Sequence, residues 1–407
     1  MNSINLVVVG TFPFPYGMAS TKRVQHVIDG LNNYQDFNIR VIILRQSSAS
    51  NKPIGVFRGT PYETAMTDLI RLKFVFLAPL FLLKAKSAIR RALALESSNI
   101  LYVYGPPTFD NVMVIRYAQR LGFKIIFDIV EDDETGSRIS SSFYHRIKNF
   151  YTRRMVRQLP KLANGLIVIS SHLKKKLSNV AGTRPIPIHL HPITIDFSNF
   201  KTPPVKIDGD GEISLFYAGS FGVKDGVNNL LDAFETLAAR YPFLRLIMTG
   251  RGSKEVMKPI LNRIADSPYS ARIVYKGYLD DASYYSILQQ VDIPCMTRID
   301  LAYAHAGFPF KLGEFLATGK PVIASRVSDV EYYLIDKHNA LLVRPGITDD
   351  IVQAVEYIIQ NPGESNNIGK CGKECAKRSF DLCSQAFALR SFLLARVNIE
   401  NEHIPNE

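Results

Sequence analysis

The feature that most constrains this chain is a repeated unit: an apolar run of strand length, a glycine or polar turn, then a stretch of helix length. Residues 5–10 end in Gly10, and residues 100–104 end in Gly105-Pro106-Pro107. Residues 215–218 run into Gly219-Ser220-Phe221-Gly222, residues 244–249 into Gly250-Arg251-Gly252, and residues 273–275 towards Gly277. Further runs at 39–44, 124–128, 166–169, 292–296, 321–325 and 340–343 read as strands, with helical stretches between most of them. Such alternation predicts α/β architecture, with parallel sheets covered on both faces and ligands at the carboxyl ends of the strands. Residues 198–212, with two Pro, two Gly and few apolar residues, read as a linker, after which the pattern restarts. A chain of 407 residues is long for one core. Two Rossmann-like domains are expected, at 1–200 and 201–383, with an amphipathic tail helix in 384–407. Phe387, Leu389, Phe392, Leu393 and Leu394 form its apolar side.

Hydrophobic content of 46% supports a sizeable interior. Four Cys with no paired CxxC pattern give no disulfide framework, so a reducing compartment fits. Cys371, Cys375 and Cys383 lack a fourth ligand and metal-site spacing, so no metal is expected. Residues 1–10 have no basic start and do not read as a signal peptide. No 18-residue apolar stretch occurs, and a cytoplasmic protein is expected, peripheral on the inner face of a membrane.

The net charge of +12 is uneven: residues 1–200 carry 26 Lys+Arg against 12 Asp+Glu, the remainder 23 against 25. Two acid-free tracts hold most of the excess. One contains Arg71, Lys73, Lys84, Lys86, Arg90 and Arg91; the other has ten bases from Arg138 to Lys176. Residues 71–91 and 138–176 are therefore candidate contacts for an anionic membrane surface. Residues 74–83 are apolar almost all round and too short to span, so they read as a helix lying in a membrane surface or as a core helix under the sheet. No aromatic–basic interleaving or nucleic-acid motif is present, so no nucleic-acid partner is expected.

Residues 301–325, LAYAHAGFPFKLGEFLATGKPVIAS, carry the sharpest local signal. An irregular approach should lead into a helix over 310–318, stopped by Gly319 and followed by a buried strand over 321–325. A loop entering a helix presents backbone N–H groups at the positive end of the helix dipole, and Lys311 adds a charge there. On one reading Lys311 and these N–H groups hold a phosphate while Glu314 accepts hydrogen bonds from a sugar hydroxyl. On the other, Lys311 is a surface charge and Glu314 caps its own helix.

In the first half, the loop TFPFPYGMAS at 11–20 should enter a helix over 21–31, capped by Ser20 or Thr21. The dinucleotide fingerprint GxGxxG is absent. Residues 46–66 read as a polar loop. Glu131-Asp132-Asp133-Glu134, at the carboxyl end of a strand, either meet a substrate hydroxyl or cap the next helix. Ser170-Ser171 should cap the basic helix containing Lys174, Lys175 and Lys176.

These pieces carry a family resemblance. YAGSFGVKDGVNNLLDAF, LIMTGRG, IVYKGYLDDASYYSILQQVDI and GFPFKLGEFLATGKPVIAS, in this order over 215–325, resemble the retaining GT-B glycosyltransferases of the glycosyltransferase 4 group. TFPFPYGMASTKRV and the run from FDIVEDD to LIVISSHLKKKL resemble the more variable, acceptor-binding half of that family. The resemblance implies two domains facing across a cleft, with the 384–407 helix packing back on the first. It also implies a nucleotide-sugar donor of UDP or GDP type, no other cofactor, and a lipid-linked or glycan acceptor in cell-surface polysaccharide or glycolipid synthesis. Glu314 matches the second glutamate of the family's pair, at the donor ribose. Gly17, Ser220, Lys224, Lys311 and Leu312 fall at the diphosphate, and Tyr275, Gly277 and Tyr278 at the base. His305, Gly307, Phe308 and Pro309 fall at the donor sugar, and Glu131, Lys311 and Glu314 are the candidate catalytic groups. Chemistry in such enzymes is same-face attack with the leaving phosphate taking the acceptor proton, so the protein supplies positioning and charge stabilisation.

Three positions depart from the pattern. Ala306 stands where the first glutamate is expected, Ser220 where an arginine is frequent, and Asp225 intervenes between Lys224 and Gly226. Competing readings are a nucleotide-sugar epimerase of the same fold and a non-catalytic membrane-binding protein.

Overall fold

The computed structural model describes residues 3–46, 51–67, 71–132, 151, 154–180, 185–200, 211–301 and 304–397, with side chains except at 71–77 and 109–110. Asp133, Glu134, residues 138–150 of the basic tract and most of the expected linker lie outside the described residues. The chain divides into two compact units, Met1–Pro192 with Leu382–Glu407, and Ile193–Asp381.

In the first unit, strands β1 (Ile4–Gly10), β2 (Phe37–Ile43), β3 (Ile54–Phe57), β4 (Thr60–Thr64), β5 (Ser98–Tyr104), β6 (Lys124–Ile129), β7 (Gly165–Val168) and β8 (Ile188–Leu190) form one sheet. Its order is β3-β4-β2-β1-β5-β6-β7-β8, parallel throughout except for the β3–β4 pair. Among the described residues its helices include α1 (Ala19–Asn32), α2 (Arg71–Arg91), α3 (Phe109–Arg120), α4 (Leu159–Leu162) and α5 (Ser171–Ser178). All seven residues of β1 are buried, as a central strand covered on both faces requires.

The second unit holds β9 (Ile213–Gly219), β10 (Leu244–Gly250), β11 (Ile273–Tyr275), β12 (Ile293–Met296), β13 (Ile323–Ser325) and β14 (Leu341–Val343) in the order β11-β10-β9-β12-β13-β14. Every pair is parallel. Its helices are α6 (Val227–Arg240), α7 (Lys254–Asp266), α8 (Asp281–Gln290), α9 (Phe310–Ala317), α10 (Val330–Tyr333), α11 (Thr348–Gln360) and α12 (Pro362–Phe380). On α6, Leu230, Leu231, Phe234 and Leu237 recur at helical spacing and enter the core. A fully buried side chain such as Phe234 contributes roughly 1.5–3 kcal/mol.

The last helix, α13 (Leu382–Val397), packs on α1 of the first unit. Gly30 makes the close approach possible, because a Cβ there would stand 2.7 Å from that of Ala386. An Arg390–Asp36 ion pair at 2.7 Å fixes the crossing. Ala386, Leu389 and Leu393 are the buried face, whereas Phe387, expected on it, is 60% exposed.

Other local expectations also change. Within the stretch 46–66, expected as a loop, residues 54–64 fold into the β3–β4 hairpin, which adds β4 to β2 in parallel. The hairpin turns on Arg58 and Gly59, both at positive φ (48° and 80°), which suits a tight two-residue turn. Helix α1 begins at Ala19 after Met18 with no side-chain cap, and the Thr21 hydroxyl bonds the Pro13 carbonyl at 2.5 Å instead. Ser170 does cap α5, accepting from the Leu173 N–H. In α2, Phe81 is buried while Leu80 and Leu83 are exposed, so the described part of the apolar stretch is neither wholly core nor wholly surface. Among the described residues, no helix is long and apolar enough to cross a membrane.

Candidate functional site

The ends of β9, β10 and β11 in the second unit are joined through Gly250. Gly250 closes β10 at φ 127°, and a Cβ there would lie 1.9 Å from the Gly219 carbonyl at the end of β9. Its N–H donates to the Gly277 carbonyl at 2.9 Å, which also accepts from the Thr249 hydroxyl at 2.7 Å. The Tyr275 hydroxyl returns a bond to the Gly250 carbonyl at 2.9 Å. Beyond them, the Arg251 guanidinium lies 4.3 Å from the centre of the half-exposed Tyr278 ring.

The turn after β9 is organised by Asp225. Its carboxylate accepts from the Ser220 hydroxyl at 2.8 Å, the Gly222 N–H at 3.1 Å and the Tyr217 hydroxyl at 3.3 Å. Burial, and then the Asp225 charge, push the Tyr217 phenol well above its ordinary range, so it stays a donor. The turn closes on Gly226 at φ 62°, where a Cβ would lie 1.9 Å from the Thr297 carbonyl. The Lys224 carbonyl accepts from the Ile299 N–H at 3.0 Å, tying this turn to the loop after β12. Asp225, read from sequence as an interruption between Lys224 and Gly226, is thus the group that shapes the turn. The Ser220 hydroxyl is committed to it.

The approach to α9 is equally ordered. His305 Nε2 lies 2.6 Å from the Asp300 carboxylate, and its Nδ1 accepts from the Ser328 N–H at 3.3 Å. That pattern assigns the hydrogen of the neutral ring to Nε2. Ala306 is buried, and the Phe308 ring packs against Tyr333 and Phe380 at 5.5 and 5.6 Å, so its side chain serves the core. Gly307 is half-buried, Pro309 precedes the helix without a side-chain cap, and Leu312 is fully buried.

Helix α9 runs over residues 310–317 and is followed by Gly319 at φ 78°. Gly313 allows close packing, since a Cβ there would stand 2.5 Å from Ile193. Lys311 and Glu314 meet directly: Lys311 Nζ is 3.1 Å from Glu314 Oε2 and 3.6 Å from the centre of the Tyr284 ring. The Glu314 carboxylate is almost fully buried and accepts from the Tyr284 hydroxyl at 2.8 Å and the Tyr285 hydroxyl at 3.1 Å. Both tyrosines lie on α8, whose C-terminus is held by Lys320: its ammonium donates to the carbonyls of Gln289 and Val291. Sequence reading missed Tyr284, Tyr285 and Lys320; nothing local in the sequence ties them to Glu314.

Gly17 and Glu131 belong to the first unit. A Cβ on Gly17 would stand 2.1 Å from the Thr21 hydroxyl oxygen. Glu131 is exposed, while the adjacent Asp132 pairs with Lys176 of α5 at 2.7 Å. Nearby lies a buried nest. Arg23 makes a two-pronged pair with Asp128 at 2.7 and 2.8 Å and donates to the carbonyls of His191 and Pro192. The Tyr102 hydroxyl donates to Asp128 at 2.7 Å. Burial opposes the Arg23 charge, but the Asp128 carboxylate outweighs it and raises the guanidinium pKa. Among the described residues, no group of three His, Cys, Asp or Glu is arranged to hold a metal ion.

Residues 212–361, which contain the glycine turns and α9, match the family model described as glycosyl transferases group 1. Over 256 residues the chain is 23% identical to a glycosyltransferase of Methanocaldococcus jannaschii, covering 62% of this chain and 64% of that protein. Over 200 residues it is 24% identical to a phosphatidyl-myo-inositol mannosyltransferase of Mycolicibacterium smegmatis, covering 48% of each. The chain thus spans between about half and just under two-thirds of these curated relatives. Among solved structures, it resembles sucrose-phosphate synthase of Thermosynechococcus elongatus with a TM-score of 0.77 at 15% identity, covering 97% and 98% of the two chains. It resembles Anabaena HepE, solved with UDP-glucose, with a TM-score of 0.72 at 17% identity, covering 96% and 99%. The fold is GT-B. Within that GT-B chain, the second unit is related to the glycosyl transferases of group 1 and carries Lys311 and Glu314 on α9. Six of the other expected donor-site residues lie in its loops, Ser220, Tyr278, His305, Gly307, Phe308 and Pro309, and Lys224 lies in a single 3-10 turn, Val223–Asp225. Tyr275 and Gly277 lie at the end of β11.

Proposed function

We propose that the protein is a retaining glycosyltransferase that takes a sugar from a nucleoside-diphosphate sugar and passes it to a lipid-linked or glycan acceptor. One observation carries this reading: the buried Glu314 carboxylate, with Lys311 beside it, on a helix within the segment matched by the group 1 family model. Glu314 then accepts from the donor ribose, and Lys311 with the first turn of α9 meets the diphosphate. The glycine turns at Gly219, Gly250 and Gly277 let backbone approach the ligand closely. UDP-type donors come first, because HepE was solved with UDP-glucose and the E. coli trehalose-6-phosphate protein with UDP-2-fluoro glucose. The residues assigned to the reaction position the donor and stabilise the charge on the leaving diphosphate.

The acceptor side belongs to the first unit in this reading. Exposed Leu80 and Leu83 on α2, followed by exposed Lys84, Arg90 and Arg91, suit an anionic membrane surface where a lipid-linked acceptor would lie.

The test is donor turnover. UDP-sugars and GDP-sugars are screened for a thermal shift, and turnover of the stabilising donor is then followed with Glu314→Gln and Lys311→Met. Each substitution removes a charge-assisted hydrogen bond and should lower kcat/KM at least tenfold. Wild-type turnover in both variants rejects the site.

A further inference from the structure

The Glu314 carboxylate offers about four acceptor directions. Oε2 takes the Tyr284 hydroxyl at 2.8 Å and lies 3.1 Å from the Lys311 ammonium, and Oε1 takes the Tyr285 hydroxyl at 3.1 Å. One direction remains, on Oε1. A ribose presents two neighbouring hydroxyls, so one of these three donors has to give way when both are read.

The three donors differ in freedom. Tyr284 is buried, with its ring against Phe216 at 6.4 Å and Tyr285 at 5.3 Å. Tyr285 is fixed edge-on to Phe200 at 5.5 Å. Lys311 is 37% exposed on a flexible four-carbon stem. The phenols are therefore permanent partners and the ammonium is the exchangeable one. Burial first, and the Glu314 charge second, push both phenols above their ordinary range, so neither loses its proton as pH approaches 10.

We propose that Tyr284 and Tyr285 are positioning residues: their hydroxyls hold the Glu314 carboxylate in the orientation in which it accepts from the vicinal hydroxyls of a nucleotide ribose. This rests on the reading of Glu314 as the ribose acceptor and adds the device that orients it. The two phenols fix the roll of the carboxylate about its last bond. Without them, the group would turn fully towards Lys311.

The experiment measures binding by calorimetry of UDP, GDP and ADP to the full chain. The tightest of these is then compared with its 2′,3′-dideoxy analogue on wild type, Tyr284→Phe, Tyr285→Phe and Glu314→Gln. Each Tyr→Phe change removes one hydroxyl that donates to a charged group and should weaken the ribonucleotide about tenfold. The dideoxy analogue, which has nothing for Glu314 to accept, should bind all four proteins alike. Equal losses on both ligands in the phenylalanine variants, or no loss on either, would overturn the positioning role. If Glu314→Gln itself weakens both ligands equally, or neither, the ribose reading fails first. Tyr284 is a core residue, so melting temperatures accompany each measurement, and Tyr285→Phe, at the less buried position, decides the matter if Tyr284→Phe does not fold.

Discussion

The carboxyl edge of the second sheet is shaped by backbone: Gly219, Gly250 and Gly277 bring three turns into mutual contact, and the turns are joined by main-chain groups and hydroxyls. In the first unit, the ends of β5 and β6 are filled by side chains instead. Asp128 near the end of β6, Tyr102 in β5 and Arg23 of α1 form a closed ion-pair nest that also binds the carbonyls of His191 and Pro192. Outside the β3–β4 hairpin, both are parallel α/β sheets of the same winding. One edge keeps small residues where a phosphorylated ligand would approach; the other spends a buried charge pair on joining α1 to β6 and to the chain after β8. Topology alone therefore does not make a site, and the residues at the strand ends decide what each edge can do.

The sharpest break in this comparison is to remove Asp128. Arg23 and Asp128 are 4% and 0% exposed, so neither charge has water to fall back on. Asp128→Ala leaves the guanidinium buried without its counter-ion and should destabilise the first unit by about 3–5 kcal/mol in chemical denaturation. The paired change Arg23→Met with Asp128→Leu should recover most of that loss, because an apolar pair removes both desolvation penalties. If Asp128→Ala unfolds like wild type, the nest is not what holds this edge.

The second break concerns glycine. Gly250 and Gly105 both sit at positive φ at the end of a strand, one in each unit. A Cβ on Gly250 would strike the Gly219 carbonyl at 1.9 Å, whereas one on Gly105 meets nothing within 4 Å. Gly105→Ala should cost about 1 kcal/mol, from backbone strain alone. Gly250→Ala adds a backbone clash and should cost about 2–3 kcal/mol. It should also lower affinity for the nucleotide that stabilises wild type, since it separates the turns after β9 and β10. Equal costs at the two positions would mean that the turns of the second unit do not depend on close approach.

Where the sequence speaks locally, it was legible. Apolar runs of strand length located most of the strands, five of them with a glycine turn just after, and Gly319 marked the end of α9, because period and left-handed turns leave their signature within a few residues. What was missed depends on distance or on a turn without a strong signal. Tyr284 and Tyr285 lie 30 and 29 residues before Glu314, and no spacing rule connects them. Asp225 looked like an insertion because its role is to gather bonds from Tyr217, Ser220 and Gly222. The β3–β4 hairpin turns on Arg-Gly, weaker than the Asn-Gly or Asp-Gly that advertise such turns. The packing of the Phe308 ring against Tyr333 and Phe380 was likewise not legible, because both partners lie far along the chain.

The smallest expected effect separates the units by pH. In the first, burial and then the Arg23 charge lower the His189 pKa to about 4, and its ring stacks on Phe392 at 5.2 Å. A base whose pKa is depressed on folding binds more protons when unfolded, so stability falls as pH drops from about 6.5 to about 4. In the second, burial lowers the Lys320 pKa to about 8, although the Asp292 charge opposes it. The same sign then makes stability rise as pH climbs from about 8 towards 10.5. Above about 10 the unfolded chain's tyrosines begin to ionise while Tyr102, Tyr217 and Tyr284 resist, which reverses the trend. Melting temperatures should therefore be followed from pH 4 to 6.5 and from pH 8 to 9.5. His189→Phe should flatten only the acid limb and Lys320→Met only the alkaline one, each by on the order of 1–2 kcal/mol across its window. Lys320→Met also frees the Gln289 and Val291 carbonyls at the end of α8, the helix that carries Tyr284 and Tyr285. Nucleotide affinity measured on that variant would show whether anchoring this helix end matters to Glu314; a flattened alkaline limb with unchanged affinity would confine Lys320 to stability.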